Sequence, residues 1–313
     1  MTDTINPIIK VIDLVPGEIC ELPSVQAKDL TQEIFWQDYV CKHLPLIIKQ
    51  GASHWPAVSK WGEPGYLESI PSDAKGWLSP TFNPRQLTVL KKVVQIKKAR
   101  DCIREMREAP DDHTYTMPGI PVYEEWKEDI GDYAFISRDK FAKPPRIYDR
   151  QRMLAYKNAA TDWHYHPSDE TLTTQLSGRK RFSLFRLDDS NWEECISIIE
   201  SNLHHLSCAK QLFPPNLSLV KYEAVLDPGD VVYIPPFWWH GVDPEDSNVG
   251  VTLAECFRTP WQRLGDWHDP VTRRAIASKK HREGFRASLM QKGMIAFSSM
   301  IRRFKGNAWY EEI

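Results

Sequence analysis

No CxxC pair occurs in this chain. Its six cysteines stand singly at 20, 41, 102, 195, 208 and 256. Scattered thiols argue against a disulfide framework and a cysteine zinc site, and they suit reduced core positions of a cytoplasmic protein. No apolar run approaches the length of a membrane span, and the start Met1-Thr2-Asp3-Thr4 lacks a basic-then-apolar signal region. Neither a membrane association nor secretion is expected. Net charge is also small, at −2 over 313 residues, which removes any global attraction to nucleic acid or anionic lipid. Internal repeats and low-complexity linkers are missing too, so solenoids and tethered modules are not expected.

What is present is the material for a core. Hydrophobic residues make up 42% of the chain, with 12 tryptophans, enough for one large domain with additions. Short β-like runs dominate from about 146 to 258: 152–157, 163–176, 180–187, 218–226, 230–234 and 249–257. Turn residues separate them at Ser177-Gly178, Asp188-Asp189-Ser190 and Asp227-Pro228-Gly229. Upstream, helical spacing covers 28–43 and 94–108, the latter ended by Ala109-Pro110, and an apolar strand fits 45–49. Residues 192–209 read as a helical insertion. The pattern predicts a mainly β fold with flanking helices, a double-stranded β-helix (jelly-roll) barrel. Its expected parts are an N-terminal α/β segment over 1–145, the barrel core over 146–260 and basic C-terminal helices over 261–313.

Charge is segregated in that last part. Residues 272–305 hold ten Lys or Arg and one acid, Glu283. A solvated face is the simpler reading of such a run; a surface for RNA is possible but not favoured. Apolar positions such as Phe285, Leu289, Ile295 and Phe297 recur at helical spacing, more than a solvated tail needs. A homodimer through these helices is expected, with a monomer whose helices cap its own barrel as the competing arrangement.

His164-Tyr165-His166-Pro167-Ser168-Asp169-Glu170 carries the chemistry. In an extended chain, side chains at i, i+2 and i+6 share a face, so His164, His166 and Glu170 would project together. Two imidazoles and a carboxylate suit Fe(II), Mn(II), Ni(II) or Zn(II) better than Ca²⁺ or Mg²⁺. A lone HxH is weak evidence, because paired histidines often lie idle on a surface. Downstream, Pro228-Gly229-Asp230 begins a turn and buried strand that end in Pro235-Pro236-Phe237-Trp238-Trp239-His240, delivering a third imidazole. The expected metal ligands are His164, His166 and His240. Glu170 would be either a fourth ligand or an acceptor that orients a histidine. A bulge would exchange Glu170 with Asp169. Trp163, Trp238 and Trp239 read as packing at the barrel mouth.

These residues resemble those of the cupin superfamily, and within it the JmjC-like (cupin-8) iron and 2-oxoglutarate oxygenases. The matching stretches are Thr161-Asp162-Trp163-His164-Tyr165, Gln175-Leu176-Ser177-Gly178-Arg179-Lys180-Arg181-Phe182, and the segment from Pro228 to Val242. A looser match is Pro45 to Gly51 with Trp55-Pro56-Ala57 and Trp61. The resemblance implies Fe(II), with 2-oxoglutarate as co-substrate. It puts Lys180 on the distal carboxylate of that acid, with Thr161 as a hydroxyl donor. Tyr115 is a further candidate, for which Tyr123 or Tyr133 could substitute. One departure matters: the family's HxD is HxH here, with His166 in the acid's place. A 2-oxoglutarate-independent cupin dioxygenase with a three-His or three-His/one-Glu site is therefore the alternative enzyme. A catalytically silent binding protein is the alternative outside enzymes. The substrate expected is a protein side chain or a small molecule.

Overall fold

The computed structural model describes residues 10–79, 95–136, 149–166, 170–186, 219–236, 238–246 and 248–257. The expected helical insertion 192–209 and C-terminal helices 261–313, and with them the predicted dimer interface, lie outside these residues. Among the described residues, no helix is long and apolar enough to cross a membrane.

Eight strands form the barrel: β7 (Gln151–Lys157), β8 (Thr161–His164), β9 (Glu170–Ser177), β10 (Lys180–Arg186), β11 (Val220–Leu226), β12 (Val231–Ile234), β13 (Trp238–Pro244) and β14 (Gly250–Phe257). Four of them run β12-β9-β14-β7 in one sheet, and the other four run β11-β10-β13-β8 in the second. Successive strands cross between the sheets, except β10 and β11, which pair antiparallel in one sheet. That order is a jelly roll, and it bears out the expected double-stranded β-helix.

The chain before 146 does more than pack on this barrel. Strands β2 (Ser24–Gln26), β3 (Leu46–Lys49) and β6 (Tyr115–Pro121) extend the larger sheet to seven strands, and β1 (Glu18–Glu21) extends the smaller to five. Helical turns from the same segment cover the larger sheet's outer face, where Phe35, Trp55, Trp61, Trp126 and Tyr133 pack with Leu172, Leu176, Leu253 and Tyr233 in the main core. A second apolar cluster, including Ile47, Phe182, Leu184, Val232 and Val242, lies between the sheets. Asp230 fastens β3 to the turn before β12: it accepts from Gln50 N at 3.0 Å and from Lys49 Nζ at 2.7 Å. The turn itself needs Gly229, whose φ is +92°.

Three local expectations change. The single helix over 28–43 is instead a one-turn piece, Gln32–Ile34, capped by Thr31 and running into a π-helical turn, Phe35–Val40. Leu30 is extended (φ −103°, ψ 103°), so the turn before it cannot join. In 94–108 only Ala99–Glu108 is helical, because Gln95–Lys98 (β5) pairs with Lys75–Leu78 (β4). The single strand expected over 163–176 is two strands, ending at His164 and restarting at Glu170.

Candidate metal centre and its cavity

Strand alternation decides which side chains enter the barrel. On β9, Leu172 and Leu176 face the outer core, so Thr171, Thr173 and Gln175 face in. On β13, His240 and Val242 face in, while Trp239, Gly241 and Asp243 face out. Thr171, Thr173, His240 and Val242 of this inward set line a cavity of about 160 Å³, with Arg152 and Leu154 from β7, Thr161 and His164 from β8, and Lys180 from β10.

His164 and His240 are opposite partners in the β8–β13 pair, with ring centroids 4.1 Å apart. His166, just past the end of β8, brings its ring to 5.2 Å from His164 and 4.9 Å from His240. Ligand atoms of the three lie within 4.8 Å of one another. A bulge in the β8–β13 ladder, where His164 pairs with His240 but Thr161 with Val242, lets Thr161 and His164 face the same cavity despite their odd spacing.

Hydrogen bonds set the tautomers. His240 Nδ1 donates to the Trp238 carbonyl at 3.0 Å, because a carbonyl only accepts. Its Nε2 therefore keeps a lone pair. His166 Nδ1 lies 2.7 Å from Thr171 Oγ1, a bond in which the ring nitrogen can donate and leave Nε2 free to ligate. Burial, with His164 and the Arg152 guanidinium nearby, holds the His166 imidazole well below its usual basicity. Burial, His164 and His166 do the same for His240. Two neutral imidazoles with fixed orientation, beside a third ring, match the donor set of a borderline divalent metal.

Glu170 is not in this cluster. The chain leaves β8 after His164, so the i+6 relation does not carry across, and β9 restarts with Thr171 facing in. Glu170 then faces out, where its carboxylate accepts from Tyr233 Oη at 2.6 Å. Tyr115 also sits elsewhere: on β6 it pairs with Lys157 of β7, stacks on His113 and packs against the main core. Tyr133 donates to or accepts from Thr174 in that core, and Tyr123 packs on Trp126. None of the three tyrosines is among the described residues lining the cavity.

Lys180 and Thr161 do line it. Lys180 is only 5% exposed, and burial alone lowers its amine from 10.5 to about 7. Its Nζ lies 3.7 Å from the centroid of the Tyr156 ring, and no carboxylate pairs with it among the described residues. Among the described residues this buried amine has a π face beside it and no acid, an environment that suits an anion. Sequence reading missed Tyr156, Thr171 and Arg152. The period-2 alternation of 152–157 places Arg152, Leu154 and Tyr156 on one face, but only the fold shows that this face is the inner one.

A family model described as a cupin-like domain matches residues 31–254. Among curated proteins, the chain is 24% identical over 232 residues to a lysine-specific demethylase of Arabidopsis thaliana, covering 72% of this chain and 52% of that protein. It is 27% identical over 248 residues to a Jumonji C domain-containing protein of Drosophila melanogaster, covering 75% and 59%. The matches thus span a little over half the length of these two relatives. A human tRNA wybutosine-synthesizing protein is 24% identical over 268 residues, covering 75% of this chain and 80% of its own.

Proposed function

The chain belongs to the cupin-like domain family, and from that premise we propose that it is an Fe(II)- and 2-oxoglutarate-dependent oxygenase. One observation carries the reading: a three-histidine cluster shares one cavity with a buried lysine that no acid pairs among the described residues. His164, His166 and His240 would hold the metal. Lys180 would take the distal carboxylate of the oxo acid, with the Thr161 hydroxyl on the same wall. When bound, the iron and its oxo acid supply activated oxygen for hydroxylating a C–H bond. The protein's own residues fix the imidazole orientations through Trp238 and Thr171, and Phe182, Ile234 and Val242 of the second apolar cluster give the cavity an apolar side.

The target is proposed as a protein side chain or a small molecule. The relatives' names point in two directions, to lysine demethylation in one and tRNA wybutosine synthesis in another. The small net charge supports the non-nucleic target.

A second reading rests on His166. A neutral ligand where the related pattern has a carboxylate leaves the metal one charge more positive, which favours a cupin dioxygenase that binds its substrate directly. Anaerobic titration of the Fe(II) protein with 2-oxoglutarate separates the two. Bidentate chelation gives a visible charge-transfer band, expected here and expected to weaken in Lys180→Met. Iron uptake with no band would favour the direct-binding dioxygenase, and no iron uptake would point to a binding protein.

A further inference from the structure

Lys180 extends over the ring of Tyr156, the last inward residue of β7, with Nζ 3.7 Å from the ring centroid. That ring is held on two sides. Its opposite partner on β14 is Gly250, where an added Cβ would overlap the ring, so only a glycine leaves room for it. At its far end the hydroxyl accepts from Gln175 Nε2 at 2.9 Å. The Gln175 amide is anchored in turn. Its nitrogen lies 2.6 and 3.1 Å from the carbonyl oxygens of Ser177 and Gly178, and its Oε1 accepts from Thr252 Oγ1 at 3.1 Å. Ser177 and Gly178 make the turn into β10, where Gly178 takes a φ of +71°. One network therefore sets both the tyrosine ring and the turn that delivers the lysine.

The chemistry of the ring suits an anion site. Burial pushes the Tyr156 hydroxyl well above its ordinary value, so the amine faces a neutral ring and not a phenolate. A ring face attracts an ammonium, yet unlike a carboxylate it brings no negative charge to repel an incoming acid. Depth matters as well. Lys180 stands on β10 opposite Pro244, whereas His240 stands opposite Leu184, four residues further along the same pair of strands. Amine and imidazoles thus occupy different levels of one cavity, as the two ends of a dicarboxylic oxo acid require. We propose that Tyr156 is a positioning residue whose ring seats the Lys180 ammonium away from the histidines, where it meets the distal carboxylate of the oxo acid. The proposal rests on the oxo-acid reading of Lys180.

The test compares the anaerobic Fe(II) forms of wild type, Tyr156→Phe and Tyr156→Leu. Each is titrated with 2-oxoglutarate and with 2-oxopentanoate, which has the same chelating end and no distal carboxylate. Tyr156→Leu is expected to bind 2-oxoglutarate about three- to thirtyfold more weakly than wild type. Tyr156→Phe keeps the ring and should bind it like the wild type. All three should bind 2-oxopentanoate alike, and the charge-transfer band it gives also shows that the metal site has folded. Tyr156→Met replaces the leucine variant if that takes up no iron. Unchanged 2-oxoglutarate affinity without the ring overturns the proposal. So does an equal loss for both acids, which a merely structural role would give. A loss in Tyr156→Phe as large as in Tyr156→Leu overturns it too, by assigning the effect to the hydroxyl. If the wild type gives no band with 2-oxoglutarate, the oxo-acid reading fails separately. A double-mutant cycle of Tyr156→Leu with Lys180→Met in chemical unfolding then decides the seat: coupled losses support it, and additive losses overturn it.

Discussion

At the scale of single residues, Thr171 and Lys180 control the site without being ligands. Thr171 is the only hydroxyl bonded to His166 Nδ1 among the described residues. Thr171→Val keeps the shape and removes the partner, so metal affinity is expected to fall about 10–100-fold in chelator competition. An unchanged affinity would mean that the ring is oriented by packing alone. Lys180 makes the site pH-dependent. Its amine is lowered from 10.5 to about 7, so between those values the unfolded chain binds a proton that the folded chain does not. The apo fold is then least stable at and below about 7 and gains stability as pH rises towards 10.5. An anion that pairs with the charged amine shows the opposite trend. Its affinity is highest below about 7 and weakens by up to about tenfold per pH unit above it. Calorimetry with 2-oxoglutarate on Mn(II)-loaded protein across neutral pH reads this slope. Lys180→Arg should flatten it.

At the scale of elements, the metal site depends on an edge strand. Among the described residues β8 has one neighbour, β13, through a bulged ladder, and its outward residue Trp163 packs against Gly241, each of the two being next in sequence to one of the facing histidines. A Cβ on Gly241 would sit 2.8 Å from the indole. Gly241→Ala is expected to cost about 1–3 kcal/mol in denaturant unfolding, and to weaken metal binding as His240 shifts. A loss of stability with full metal affinity would uncouple Trp163 from the site. The element scale also explains why Glu170 left the cluster. Face-sharing at i and i+6 holds only along one continuous strand, and here the strand stops at His164. The HxH was legible because it spans only three residues. The carboxylate was not, because its position depends on where the next strand restarts.

At the scale of the molecule, a segment far from the motif in sequence closes the barrel. Val11 N and Ile12 N donate to the buried Asp243 carboxylate at 2.9 and 2.8 Å. Trp163 Nε1 donates to the Val11 carbonyl at 2.7 Å, and Lys221 Nζ to that of Ile12 at 3.0 Å. Asp243→Ala strands two buried amides and is expected to cost about 1–3 kcal/mol per unsatisfied group, measured by chemical unfolding. A change within a few tenths would mean that water replaces the carboxylate there. Assembly is a proposal at this scale too. We propose a homodimer through residues 261–304, and light scattering is expected to give about twice the 36.3 kDa chain mass. Charged substitutions at Leu289 and Ile295 should halve it, and a wild-type mass near that of one chain would sink the dimer.

The sequence by itself determined most of the barrel's strand runs, the glycine turns at 178 and 229 and the three histidines. Each of these depends on neighbours within a few residues, through side-chain alternation, backbone sterics or ligand chemistry. Lys180 was legible only through its place in a family-like stretch. Tertiary structure alone decided which face of each strand points inward, and so brought Arg152 and Thr171 to the cavity, set Tyr156 against Lys180 and sent Glu170 to Tyr233. It also turned part of the leading segment into strands of both sheets. Inward and outward are properties of two sheets closing on each other, and strand periodicity fixes the alternation but not its phase.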